Sequence, residues 1–169
     1  FSKESVITSF NQSANGIASA EFATLTREAK RFSELTNRTF DPTIAPLVRL
    51  WGFGPDASQL PDSATVSSLV ARIGMQYVHV ANDSVLKDLP SISLDYNGIA
   101  KGYTVDQVAQ YLERMGIRHY MVNIGGEIRA SGLNSRGEAW IFGIETPEQG
   151  NVPGSSIVQR IQLSSCALA

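Results

Sequence analysis

Apolar and polar positions follow two different periods along the chain. Residues 4 to 13 place Val6, Ile7 and Phe10 on one side at helical spacing, which predicts a short helix. Asn15-Gly16 reads as a turn. Ser19 is a good N-cap for a second helix over 20 to 36, with Phe22, Leu25, Ala29 and Phe32 as its apolar stripe. A third helix over 63 to 73 turns Val66, Leu69, Val70 and Ile73 inward and stops at Gly74. The strongest helical pattern covers 99 to 115, with Val105, Val108, Leu112 and Met115 inward and Gly116 at its end.

Elsewhere the period shortens toward two. Gln76 to Ala81 alternates as a strand, Asn82-Asp83 turns, and Val85 to Leu89 returns. Ser91 to Leu94 reads as a further short strand. His119 to Ile124 is a strand, broken by Gly125-Gly126 and continued by Glu127 to Ser131. Asn134-Ser135-Arg136-Gly137 reads as a hairpin turn into a strand over Trp140 to Glu145, and a last strand covers 156 to 163. In Phe40-Asp41-Pro42-Thr43-Ile44-Ala45-Pro46 the two prolines forbid a regular strand or long helix. Leu47 to Trp51 follows as a helical turn, stopped by Gly52-Phe53-Gly54-Pro55, and 56 to 62 is a loop. Helices and strands are interspersed, but the late strands come as hairpins. That predicts an α+β fold, mixed or antiparallel sheet layers with packed helices, over a doubly wound parallel sheet.

The 169 residues fit one domain or the larger part of one, and 43% hydrophobic with 18% charged residues is an ordinary globular mix. A net charge of -2 supplies no basic field, so nucleic acid is not an expected partner and any anionic ligand must be held by local donors. The single cysteine, Cys166, excludes an internal disulfide, and its apolar run predicts a buried, inert thiol. No apolar run reaches the ~20 residues of a membrane span, and no signal peptide is visible. Both ends read as the middle of something: the chain opens on Phe1 and closes on the strand-like run Ser164 to Ala169.

Three stretches could carry chemistry. In Leu94-Asp95-Tyr96-Asn97-Gly98-Ile99-Ala100-Lys101 a strand ends in a carboxylate, turns through Gly98 and enters a helix bearing Lys101. The free N–H groups of a helix start attract anions, a glycine carbonyl can ligate a hard cation, and a lysine can reach a phosphate. The same residues also suit an Asx-type turn capping an amphipathic helix, with Lys101 solvated. Thr39 to Pro55 is apolar, aromatic and rigid around one carboxylate, Asp41; it can line a flat aromatic pocket or form core with tight turns. In Val122 to Gly132 the paired glycines imply a bulge or close approach by a ligand or another strand. His79 and His119 stand alone within strands, without metal-ligand spacing to any cysteine or carboxylate.

Together, FDPTIAPLVRLWGFGP, LDYNGIAKGYTVDQVA and VNIGGEIRASG resemble the signatures of the ApbE-type flavin transferases. The opening FSKESVITSFNQS resembles that family's stretch ending in a serine-rich Phe-Asn motif, so the resemblance covers nearly the whole chain. It implies an enzyme that binds FAD and Mg²⁺ outside the cytoplasmic membrane and passes FMN to a threonine hydroxyl of an acceptor flavoprotein, releasing AMP. A periplasmic site, anchored to the inner membrane by an N-terminal lipid, goes with it. By the same resemblance Asp95, Lys101, Thr39, Phe40 and Asp41 contact FAD, and the Gly98 carbonyl touches the metal. Phe1 falls where the family often has a tyrosine that packs on the flavin; phenylalanine keeps the stacking and loses the hydroxyl. The family continues past the position of Ala169 with a segment supplying most metal ligands. The resemblance therefore implies that these residues alone are inactive, that the general base lies beyond Ala169, and that the segment completing the fold is itself a partner. A Mg²⁺-dependent FAD pyrophosphatase and a non-catalytic FAD-binding module are the alternatives.

Overall fold

A computed structural model of the chain describes residues 4–53, 60–147, 152 and 154–169. Phe1, Gly54 and Pro55 lie outside the described residues. The fold is the expected mixture of helices and antiparallel sheets, divided into two compact units, Phe1–Gly98 and Ile99–Ala169.

The first unit begins with helix α1 (Val6–Gln12), capped by Ser5 Oγ, which accepts from the Thr8 amide. Phe10 is fully buried, whereas Val6 stands largely in solvent. Strand β1 (Gly16–Ala18) follows at once, where only a turn was expected. It pairs antiparallel with β3 (Ser84–Lys87), which pairs on its other side with β2 (Val78–Ala81). Gly16 has φ 129°, and a Cβ there would run into the backbone of Val85 and Leu86, so this pairing requires glycine. Three residues are too few for the alternation that reveals a strand.

Helix α2 (Ala20–Leu35) starts where Ser19 predicts, with Ser19 Oγ accepting from Phe22 N. Its buried side is Phe22, Ala23, Thr26, Ala29 and Ser33, while Phe32 is exposed. The buried stripe is rotated toward small side chains, which let the helix lie close to β2 and β3. Phe10, Phe22 and Tyr96 stack in a tilted row, with ring centroids 5.4 and 5.6 Å apart. Pro42–Ile44 is a short 3-10 turn leading into α3 (Ala45–Leu50). Helix α4 (Ser63–Val70), capped by Asp62, is shorter than its pattern and has no buried residue; Val66 and Leu69 are half-buried and Val70 is exposed. A second 3-10 turn, Met75–Tyr77, delays β2 by two residues relative to the pattern. Ser91 to Leu94 is not a strand: Ile92, Ser93 and Leu94 are buried but have no ladder partner.

In the second unit, helix α5 (Ala100–Arg114) ends ahead of Gly116, which has φ 80°. Strands β4 (Tyr120–Ile124), β5 (Glu127–Ser131) and β8 (Cys166–Leu168) form one antiparallel sheet, and β6 (Trp140–Glu145) pairs with β7 (Ile157–Leu163). Val105 and Ala109 of α5 pack on Tyr120 and Val122. The other face of the sheet, Ile128 and Ala130, packs on Leu163, Trp140, Phe142 and Ile161. Three layers result: helix, sheet, ribbon. On α5 the buried positions are Val105 and Ala109, whereas Val108 and Met115 are exposed.

Three expectations change here. Gly125-Gly126 is the two-residue turn of the β4–β5 hairpin, with φ 59° and 101°, and not a bulge. Asn134 to Gly137 is a local turn, but β5 and β6 lie in different sheets and form no hairpin. Cys166 is exposed on β8.

Candidate functional site

The segment before Gly98 is pinned residue by residue. Asp95 N donates to Pro42 O at 2.8 Å, which ties this segment to the 3-10 turn after Asp41. The Asp95 carboxylate accepts from Asn97 N at 2.8 Å on Oδ1 and from Asn97 Nδ2 at 3.2 Å on Oδ2. It closes an Asx turn and does not cap α5. The N-cap residue of α5, Ile99, offers no side-chain acceptor. Gly98 is exposed, and a Cβ on it would stand 3.2 Å from Phe40 Cε2. Glycine here lets Phe40 lie against the turn.

Phe40 arrives by a strained route. After α2, Asn37 and Arg38 take φ 49° and 65°, and Arg38 N donates to Ser33 O at 2.7 Å. Thr39 Oγ1 then donates to Thr36 O at 2.5 Å, and Phe40 N donates to Thr36 Oγ1 at 3.2 Å. Asp41 Oδ1 accepts from Thr43 N at 2.9 Å and Thr43 Oγ1 at 2.6 Å. Thr43 Oγ1 accepts in turn from Gly74 N at 2.6 Å, fully buried. So Thr39, Phe40, Asp41, Asp95 and Gly98 are gathered in the first unit. One Asp41 oxygen is already spent on capping. Of the aromatic stretch, Pro42, Thr43 and Ala45 are core, whereas Trp51 and Phe53 are 49% and 75% exposed.

Lys101 belongs to the second unit, one residue into α5. Its Nζ stands 2.7 Å from Glu127 Oε2 and 3.4 Å from Gly125 O, so it is anchored over the β4–β5 turn and is not simply solvated. The hydrogen bond from Lys101 holds the Glu127 carboxyl below the usual glutamate range. Farther along α5, Arg129 of β5 donates to Asp106 Oδ1 and Glu113 Oε1, each at 2.9 Å. Tyr120 OH also donates to Glu113 Oε1. Glu127 and Arg129 were legible only as strand residues, because their partners lie across a helix–sheet contact.

The profile of the ApbE family matches residues 1–169. The chain belongs to that family. The chain is 37% identical over 174 residues to an FAD:protein FMN transferase of Vibrio cholerae serotype O1, covering 100% of this chain and 51% of that protein. Among solved structures, the flavin transferase ApbE from Vibrio cholerae superposes with a TM-score of 0.87 at 38% identity, covering 100% of this chain and 55% of that one. The ApbE protein of Thermotoga maritima gives 0.84 at 28% identity, over 100% and 55%. The chain thus spans about half the length of the relatives it matches.

The ApbE resemblance implies a magnesium ion, but the described residues do not fit one by themselves. No group of three or more His, Cys, Asp or Glu side chains gathers among them. Mg²⁺ demands near-octahedral oxygen coordination, and Asp95 already accepts on both oxygens. The Gly98 carbonyl is one hard donor and no more. His79 Nε2 pairs with Asp88 at 2.8 Å, and His119, one residue ahead of β4 and not within it, accepts on Nδ1 from Leu133 N at 2.9 Å.

Proposed function

We propose that this chain is the part of an FAD:protein FMN transferase that grips FAD, with Thr39, Phe40, Asp41, Asp95 and Lys101 as the FAD contacts. One observation carries the reading. The Asp95–Gly98 turn lies against Phe40, is tied to Pro42, and leads into a helix start without a side-chain cap. Only two residues separate Gly98 from Lys101 in the chain. A helix start and a lysine favour the dianionic pyrophosphate, and an exposed glycine turn beside an aromatic ring suits stacking of a flat ligand.

In the reaction, the hydroxyl oxygen of an acceptor threonine attacks the FMN phosphorus. A new P–O bond forms, the pyrophosphate P–O bond breaks, AMP leaves with the electron pair, and the hydroxyl proton is released to water. Such chemistry needs positioning and charge neutralisation more than covalent help. The residues of this chain would bind and orient the dinucleotide; no general base is assigned among them. Magnesium belongs to the proposal as a dependence, with the Gly98 carbonyl as one oxygen of a coordination sphere completed elsewhere. A periplasmic location with a lipid anchor, and Phe1 stacked on the flavin, belong to the same reading.

The test is to incubate the full-length protein with FAD, Mg²⁺ and a threonine-containing flavoprotein acceptor. Transfer leaves the acceptor heavier by one FMN moiety. Free FMN with AMP would instead make it a pyrophosphatase, and tight binding of intact FAD a flavin-binding module. Residues 1–169 alone are expected to leave FAD uncleaved. Asp95→Ala in the full-length protein is expected to weaken FAD binding about tenfold or more, since a truncated polar anchor of a buried ligand typically costs that much. An unchanged fluorescence titration would remove Asp95 from the site.

A further inference from the structure

The Phe10-Asn11 pair near the start of the chain takes no part in the function proposed above, yet Asn11 reaches the segment that leads into the corner. Asn11 Nδ2 donates to Leu94 O at 2.9 Å, and Leu94 N donates to Asn11 Oδ1 at 2.8 Å. One side-chain amide thereby satisfies both backbone groups of a residue that is 2% exposed and has no strand partner. It reproduces, from helix α1, what a neighbouring strand would supply. Beside it, Lys87 is 6% exposed and donates from Nζ to Ile92 O at 2.8 Å and Pro90 O at 3.2 Å. The Lys87 ammonium lies 4.9 Å from the centroid of the Phe10 ring, which faces its charge.

We infer that Asn11 is a positioning residue for FAD binding, holding the backbone on both sides of Leu94 so that the Asp95–Gly98 turn faces Phe40. The inference rests on the proposed FAD contact of Asp95. The two hydrogen bonds fall on the two peptide units that flank the Leu94 Cα, so together they fix the backbone turn at that residue. The next amide, Asp95 N, then meets Pro42 O at 2.8 Å, and the Tyr96 hydroxyl meets Thr26 Oγ1 at 2.8 Å. Three consecutive residues are anchored to three separate elements, and Asn11 is the only one of the three anchors made by a side-chain amide. With the Asn11 amide gone, the Ser93–Leu94 peptide loses this anchor and the Leu94–Asp95 peptide keeps only the Asp95 N to Pro42 O bond, so Asp95 is aimed less firmly. Aspartate at this position keeps the acceptor for Leu94 N but sets a negative oxygen against Leu94 O, so it distinguishes positioning from bulk.

The experiment compares FAD titrations of the full-length protein as wild type, Asn11→Ala, Asn11→Asp, Asp95→Ala and the Asn11→Ala/Asp95→Ala double variant. Amide hydrogen exchange at Leu94 and Asp95 is followed in parallel. Asn11→Ala and Asn11→Asp are expected to weaken FAD binding about three- to tenfold while melting cooperatively, because a small misplacement of a contact residue costs that order of affinity. Exchange at Leu94 should speed up in Asn11→Ala, which removes its acceptor, and stay closer to wild type in Asn11→Asp, which keeps it. The double variant should bind no worse than Asp95→Ala, since a residue that acts through Asp95 has nothing left to act on. Wild-type affinity in Asp95→Ala would remove Asp95 from the proposed site, and this inference with it. If Asp95→Ala is weakened, three results overturn the Asn11 role alone: unchanged affinity in a folded Asn11 variant, an additive loss in the double variant, or unchanged exchange at Leu94 in Asn11→Ala. Failure of both Asn11 variants to fold would make Asn11 a core residue and overturn it equally.

Discussion

At the scale of single residues, polar side chains buried in this protein hold backbone and one another. The Tyr96 hydroxyl donates to Thr26 Oγ1, and Thr26 Oγ1 donates onward to Phe22 O at 2.6 Å. Burial pushes the Tyr96 phenol far above its ordinary range, so it remains a neutral donor at any working pH. Tyr96→Phe should cost about 1 kcal/mol in urea unfolding, the net worth of a neutral hydrogen bond, because Thr26 keeps its bond to Phe22. A loss above about 3 kcal/mol would mean that the ring itself moves, on the scale of a core truncation. Gly16→Ala is a harsher case. The new methyl meets the β3 backbone at a left-handed φ, and a loss of about 3 kcal/mol is expected from strain plus overpacking. Wild-type stability there would show that β1 does not pair with β3 in this register.

Among the elements, termini and turns are where a sequence change reads out most simply. Ser19 caps the longest helix, accepting from Phe22 N, and its own amide donates to Asp83 O at 2.7 Å. Ser19→Ala removes only the side-chain bond and should cost about 1 kcal/mol, the usual worth of an N-cap. The β4–β5 turn makes unequal demands on its two glycines. Gly125, at φ 59°, sits where asparagine is tolerated, and an added Cβ would touch Lys101 Cδ at an ordinary 3.5 Å. Gly126, at φ 101°, is outside the region any L-residue favours. Gly126→Ala should therefore lower the unfolding midpoint more than Gly125→Asn, and the reverse order would contradict the assigned turn.

For the molecule as a whole, acid is the informative perturbation. The carboxyls of Asp62, Glu113, Glu127 and Glu138 are held below their ordinary ranges, chiefly by hydrogen bonds from Thr65, Tyr120, Lys101 and Arg136 respectively. A carboxyl with a depressed folded-state pKa stabilises the fold above its unfolded-state pKa. That contribution is lost as pH falls through the folded-state value. Urea midpoints should thus be flat near neutrality and fall below about pH 4, where free carboxylates begin to protonate. A midpoint that rose on acidification would show that these groups are not paired as described.

Local chemistry was legible without the structure. Ser19 as a cap, Gly116 as a stop, the extent of α5 and the β4 and β5 alternation depend on neighbours within a few residues and stand close to where they were expected, although α5 buries Val105 and Ala109 and leaves Val108 and Met115 exposed. Short or unladdered pieces were not legible: β1 is three residues long, and Ile92 to Leu94 is extended without being a strand. The candidate site divides in the same way. Its motifs name Asp95, Gly98 and Lys101, but not Asn97, Glu127 or Asn11 as their partners. Asn11 and Leu94 are 83 positions apart, and Lys101 and Gly125 are 24 apart. The sequence alone determined most of the elements and named the residues on which the proposed chemistry rests. Only the tertiary structure decided which polar groups satisfy that corner, because closing long loops brings together side chains whose pairing no local period records.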